Sequence, residues 1–96
     1  VYPDLQGIQD RQIVTGIATD WMMNYPFEAM RNAMNAVRLL SGLHDALTSL
    51  DAMKLATIGS ARVMGIEDQV GSLAPGKRAD LIQLDLQRPH LQPFYA

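Results

Sequence analysis

The chain has 96 residues, no cysteine and a formal charge of −2, enough for one small domain that buries roughly 60 to 65% of its unfolded surface but too short to close an eight-stranded α/β barrel. Scattered basic residues and 6% aromatics exclude the electrostatic footprint of a nucleic-acid or membrane-surface binder, and the lack of Cys excludes disulfides, thiolate metal ligands and a Cys nucleophile. No stretch approaches the roughly 20 apolar residues of a membrane span and no basic-then-apolar leader opens the chain, so a soluble, cytoplasmic protein with a small-molecule or protein partner is expected.

Residues 1 to 12 are polar and turn-prone, with Pro3, Asp4 and Gly7, and a helical turn over 5–12 has little support. The run Ile13-Val-Thr-Gly-Ile-Ala-Thr-Asp20 reads as a strand over 13–19. Its β-branched residues suit a pleat, and a nearly continuous apolar run argues for burial on both faces, as in parallel sheets. The run ends on a carboxylate, Asp20. Pro26 suits a first helical position, with Asn24 or Tyr25 at the cap. Helix 26–41 comes next, with Phe27, Met30, Met34, Val37 and Leu40 or Ser41 on one face, and Gly42 ends it. Thr48-Ser-Leu-Asp51 is a capping box with Asp in place of Glu or Gln, opening a helix through 57. Gly59 is expected to divide it from a short helix over 60–64 that stops at Gly65. Pro75-Gly76 predicts a type II turn before a strand over 79–86, and Pro89 and Pro93 break any regular continuation. The start at Val1 and the finish on Phe94-Tyr95-Ala96 suggest a segment of something longer.

In this order, the Thr-Asp strand end, the long helix, Thr48 to Thr57, Ala61-Arg-Val-Met-Gly-Ile66 and Gly71-Ser-Leu-Ala-Pro-Gly-Lys-Arg-Ala-Asp-Leu-Ile82 resemble the C-terminal part of amidohydrolase-superfamily enzymes. The resemblance covers 13–93, and it is closest to the cytosine deaminase, imidazolonepropionase and triazine hydrolase branches. It implies an α/β chain, mostly helical within itself: a fragment of a (β/α)8 TIM-type barrel with its last strand at 13–19, leading into a small β-sandwich. Residues 1–66 would belong to the barrel and 67–96 to the sandwich. Asp20 would be the strand-eight aspartate, both metal-facing and catalytic, that takes a proton from the attacking water. The cofactor would be a divalent metal, zinc first and iron second. The family's usual Gly-Thr-Asp is here Ala18-Thr-Asp20, followed by Trp21-Met-Met-Asn24. Trp21, Met22, Met23 and Asn24 would therefore form a bulky, apolar substrate-binding rim, since such sites are built from the loops after the strands.

The family's His-x-His pair and later histidines are absent, because the chain carries only His44 and His90, in contexts that match neither. The resemblance thus implies a metal-dependent hydrolase of C–N bonds, or a deaminase of a cyclic amide, amidine or related heterocycle, whose isolated segment is inactive. Its partners would be the substrate and the rest of the barrel or another copy of the chain. The alternative is a non-catalytic assembly or interaction module of the same ancestry. Without the resemblance, Asp20 reads as a helix N-cap or Asx-turn at a strand end. His44 and His90 read as solvated or structural, and Lys77-Arg78 as a solvated turn, lacking the glycine-rich loop and helix of a phosphate site. Ser60 and Ser72 lack a nucleophile elbow.

Overall fold

The computed structural model describes residues 4–20 and 25–88. The elements are α1 (Leu5–Asp10), α2 (Pro26–Ser41), α3 (Ser49–Lys54), a π-helical turn (Leu55–Gly59) and α4 (Ser60–Val63). The helical character expected from the sequence is present. The strands expected over 13–19 and 79–86 are not: neither segment is paired among the described residues. A strand exists only through a neighbour's N–H and C=O groups, and no second extended segment among the described residues pairs with either one. Ile82 accordingly stands 76% exposed.

The sequence pattern gives α1 little support, and Asp4 accounts for its presence. Its carboxylate accepts the Gly7 N–H at 2.9 Å and its carbonyl the Ile8 N–H at 3.1 Å, the N-capping arrangement that satisfies donors otherwise orphaned at a helix start. α2 has the expected bounds. Tyr25 is its extended N-cap, Pro26 starts it, and Gly42 closes it in the left-handed conformation (φ 71°) with its N–H on the Arg38 carbonyl at 2.9 Å. Glu28 in the first turn and Arg38 in the last both complement the helix dipole. The buried face, Ala29, Met30, Ala36 and Val37, is rotated from the expected one, leaving Phe27 and Leu40 exposed. Of the buried residues, Met30 and Val37 pack into the core with Leu47 and Ala52.

The Thr48–Asp51 capping box is complete. The Thr48 hydroxyl accepts the Asp51 N–H at 3.2 Å and the Asp51 carboxylate accepts the Thr48 N–H at 3.2 Å. Contrary to the expectation from the sequence, Gly59 does not break the helix. It keeps helical dihedrals (φ −62°, ψ −50°), and the chain runs on through the π turn into α4. Gly65 (φ 68°) ends it. Met30, Val37, Leu47 and Ala52 form the core, flanked by Leu5, Ile17, Ala33, Met34, Leu55 and Ala56.

After α4, Gly71 (φ 88°) passes so close to the helix that a Cβ there would lie 2.7 Å from the Ala61 Cβ and 3.0 Å from the Ile58 Cα. The Pro75-Gly76 turn has Gly76 at φ 87° and the Lys77 N–H on the Ala74 carbonyl at 3.2 Å, as a type II turn requires. Lys77 departs from the solvated reading. Its ammonium donates to the Glu67 carbonyl and to the Ser72 hydroxyl, the latter at 2.8 Å, while the Arg78 N–H meets the Gln69 carbonyl at 2.8 Å. The loop folds back around that ammonium, which gathers acceptors the backbone leaves free.

The cap and the loop each lead to a stability prediction. Thr48→Ala removes the cap and is expected to cost about 1 kcal/mol in denaturant unfolding. The Thr48 hydrogen bonds, aided by Lys54, hold the Asp51 carboxyl below its ordinary value of 3.8. Its folded pKa is depressed, so the stabilisation is present above the unfolded value and is lost as pH falls through the folded one. Unfolding titrations of the wild type should show this acid loss, and Asp51→Asn should remove that component. In the loop, Gly71→Ala meets both a left-handed backbone and a filled space and is expected to cost about 2 to 4 kcal/mol. Gly76→Ala meets open space and is expected to cost only about 1 kcal/mol.

Candidate functional site

The segment leading to Asp20 is tied to the helix at one place. The π turn leads the Ser60 N–H to the Leu55 carbonyl, five residues back. A wider turn of this kind opens backbone groups that an α-helix would cover. The Leu55 carbonyl also accepts the Ile17 N–H at 3.3 Å. Ser60 Oγ accepts that same Ile17 N–H at 3.2 Å and lies 3.1 Å from the Ile17 carbonyl and 3.0 Å from the Leu55 carbonyl. With one proton, the hydroxyl donates to one of these carbonyls while its lone pair receives the N–H.

Two glycines make the approach feasible. A Cβ at Gly16 would lie 2.7 Å from the Ser60 Cα, and one at Gly59 would lie 2.6 Å from the Thr15 carbonyl oxygen. Neither glycine requires a positive φ; both are needed for space. Sequence reasoning misses this role of Gly59 and Ser60. The available signal is the pairing of Gly59-Ser60, inside a helical pattern, with Gly16 inside an apolar run, since such glycines mark close backbone approach.

Asp20 itself is exposed, in the left-handed region (φ 53°). Asp tolerates this region better than most residues, at a cost of roughly 1 kcal/mol or more. Its carboxylate has no hydrogen bond or ion pair among the described residues, and the N–H groups that an N-cap or Asx-turn at Asp20 would use belong to residues outside them. Trp21, Met22, Met23 and Asn24 lie outside the described residues, as does His90. His44 is exposed in the connection between α2 and α3, in keeping with a solvated role.

No group of three or more His, Asp or Glu able to hold a metal ion occurs among the described residues. A structural or catalytic zinc needs three or four protein ligands, so the donor set of the described residues does not fit a metal; Asp20 is a single carboxylate. A groove of about 560 Å³ lies between residues 12–15 and the helix, edged by Asp51, Lys54 and Arg62. It opens beside the start of the 13–20 segment rather than beside Asp20. No helix among the described residues is long and apolar enough to cross a membrane.

The sequence profile described as the Amidohydrolase family matches residues 4–96. Among similar curated proteins is a 5-methylthioadenosine/S-adenosylhomocysteine deaminase of Symbiobacterium thermophilum. It is 42% identical over 78 residues, which are 81% of this chain and 18% of the relative. The protein of the same name from Pelotomaculum thermopropionicum is 46% identical over 66 residues, 69% of this chain and 15% of the relative. That of Desulfitobacterium hafniense is 34% identical over 93 residues, 93% of this chain and 21% of the relative. The chain thus spans about a fifth or less of the length of the curated relatives it matches. No solved structure matches.

The close approach yields a prediction with an unusual sign. In an open helix, Gly→Ala stabilises by up to about 1 kcal/mol. Gly59→Ala is instead expected to destabilise by about 1 to 3 kcal/mol, because the new methyl overpacks against Thr15. Equilibrium unfolding checks it, and a stabilised Gly59→Ala variant would contradict the contact.

Proposed function

The chain belongs to the amidohydrolase family, and from that premise we propose that it is the C-terminal part of the catalytic barrel of a metal-dependent deaminase. Residues 1–66 complete the barrel and 67–96 lead into a β-sandwich. The substrate class is an adenine nucleoside carrying a thioether, the kind named for the relatives. In the reaction, water adds to the ring carbon that bears the exocyclic amine, and that amine leaves as ammonia. Asp20 is the catalytic carboxylate. It accepts the proton that the water gives up and returns it to the departing nitrogen, work that a carboxylate does when it lies within hydrogen-bond reach.

The observation that carries this reading is the state of Asp20: exposed, in a left-handed conformation, and with a carboxylate no described residue occupies. Backbone strain of this kind concentrates at functional sites, and the exposed carboxylate is open to a group from outside the described residues. The family is generally metal-dependent, and a divalent ion, zinc or iron, would supply an activated water in the complete protein. Asp20 is the metal-facing residue in this reading, and the other ligands come from outside this chain. Trp21, Met22, Met23 and Asn24 form the substrate rim, and the isolated segment is inactive.

The exposed apolar residues favour cover by other polypeptide. Leu39 on α2 is 75% exposed and Leu73 81%, and burying a side chain of this size contributes roughly 1.5 to 3 kcal/mol. In the catalytic reading the remainder of the barrel covers part of this surface. In the second reading, an assembly module, another copy of the chain or a protein partner covers it, and Asp20 has no role.

Turnover separates the two. In the full-length polypeptide, Asp20→Asn is expected to lower the rate of ammonia release from 5-methylthioadenosine by about 10²- to 10⁴-fold, with circular dichroism and metal content unchanged. Wild-type turnover by a metal-replete Asp20→Asn enzyme would remove Asp20 from the mechanism.

A further inference from the structure

We propose that Ser60 is a positioning residue for Asp20, acting through the backbone of Ile17. The inference rests on the reading of Asp20 as the catalytic carboxylate.

The first ground is the hydrogen-bond pattern. Among the described residues, Ala18, Thr19 and Asp20 make no hydrogen bond, so Ile17 is the last tied point before the carboxylate. Both backbone polar groups of Ile17 face the Ser60 hydroxyl, at 3.2 Å from the N–H and 3.1 Å from the carbonyl. The Leu55 carbonyl shares the Ile17 N–H, but a carbonyl has no proton to give the Ile17 carbonyl. Only the hydroxyl can serve both groups, when its one proton is given to the Ile17 carbonyl.

The second ground is space. Gly16 leaves no room for a Cβ beside Ser60, and Gly59 leaves none beside Thr15. The two backbones meet at a distance that a small polar side chain bridges and a larger one would force open. The third is leverage. Three residues span at most about 10 Å, so a shift or rotation at Ile17 is carried to Asp20 with no intervening tether among the described residues. Misplacing a reacting group by about 1 Å can cost on the order of 10²-fold in rate. At the π turn the Leu55 carbonyl holds the Ile17 N–H alongside that of Ser60, and the Ser60 hydroxyl meets the segment at the same place.

A structural role alone would lower stability without a specific kinetic signature, so the test pairs two variants of the full-length enzyme. Ser60→Ala removes the bridge. Thr48→Ala loosens the start of the same helix without touching it. For deamination of 5-methylthioadenosine, Ser60→Ala is expected to lower kcat by about 10- to 100-fold with KM within about twofold, because an oriented group acts in the transition state more than in binding. Thr48→Ala, assayed well below its melting midpoint, is expected to keep kcat within about twofold. Ser60→Ala with wild-type kcat, or Thr48→Ala with an equal loss, overturns the proposal. Asp20→Asn in the same assay keeps the two claims apart. If it is active, the reading of Asp20 fails and the proposal with it. If it is inactive while Ser60→Ala turns over normally, only the proposal fails.

Discussion

The meeting of Ile17 with Leu55 and Ser60 is the constraint on which the described structure depends. It joins the segment that ends in Asp20 to the helix that packs against α2. It asks for three things of the sequence: a glycine at 16, a glycine at 59 and a hydroxyl at 60. A regular α-helix through 55–59 would give the Leu55 carbonyl the N–H of residue 59; the π turn gives it the Ser60 N–H instead, one residue further on, and the widened turn leaves its second lone pair open to the Ile17 N–H. The irregularity is therefore the means of attachment. Gly71 repeats the logic on another side of the same helix, passing against Ala61 and Ile58 where no side chain fits.

Beyond that joint the described core is small. Leu47 and Ala52 are almost wholly buried, and α2 contributes Met30 and Val37, but much of the apolar surface of every later segment is open. The ion pairs Glu28–Arg31 and Asp85–Arg88 are exposed and add little to stability. Local hydrogen bonding supplies much of the definition: the Asp4 and Thr48 caps, the left-handed Gly42 and Gly65, and the Lys77 ammonium that gathers the loop. The helices are thus specified locally, while large apolar residues such as Leu39 and Leu73 remain exposed.

Local chemistry is also what the sequence makes legible. Pro26, Gly42, Thr48, Gly65 and Pro75-Gly76 each act within a few residues, and each behaves as its neighbours dictate. Asp4 acts by the same rule, since Asp is a favoured N-cap residue, but Gly7 obscures the short helix behind it. Features that depend on distant chain are not legible. Ile13 to Thr19 has the composition of a buried strand, yet strand pairing is a property of two segments and no described residue offers the second. Gly59 looks like a break because propensity counts its entropy and not the Thr15 carbonyl that occupies its Cβ position. Lys77 looks solvated because its acceptors, 67 and 72, are set only once the loop has closed. At the site, Asp20 stands out by its place at the end of the apolar run; Ser60 invites scrutiny as a nucleophile and not as a bridge.

The functional account stands on one carboxylate in one place. Its most direct test is a crystal structure of the full-length protein with its metal and a bound adenine nucleoside. The account predicts an Asp20 carboxylate oxygen within about 3 Å of a water that faces the amine-bearing ring carbon, with Ser60 Oγ still bonded to the Ile17 backbone. An Asp20 side chain that caps a helix or turns to solvent, away from metal and nucleoside, would contradict it.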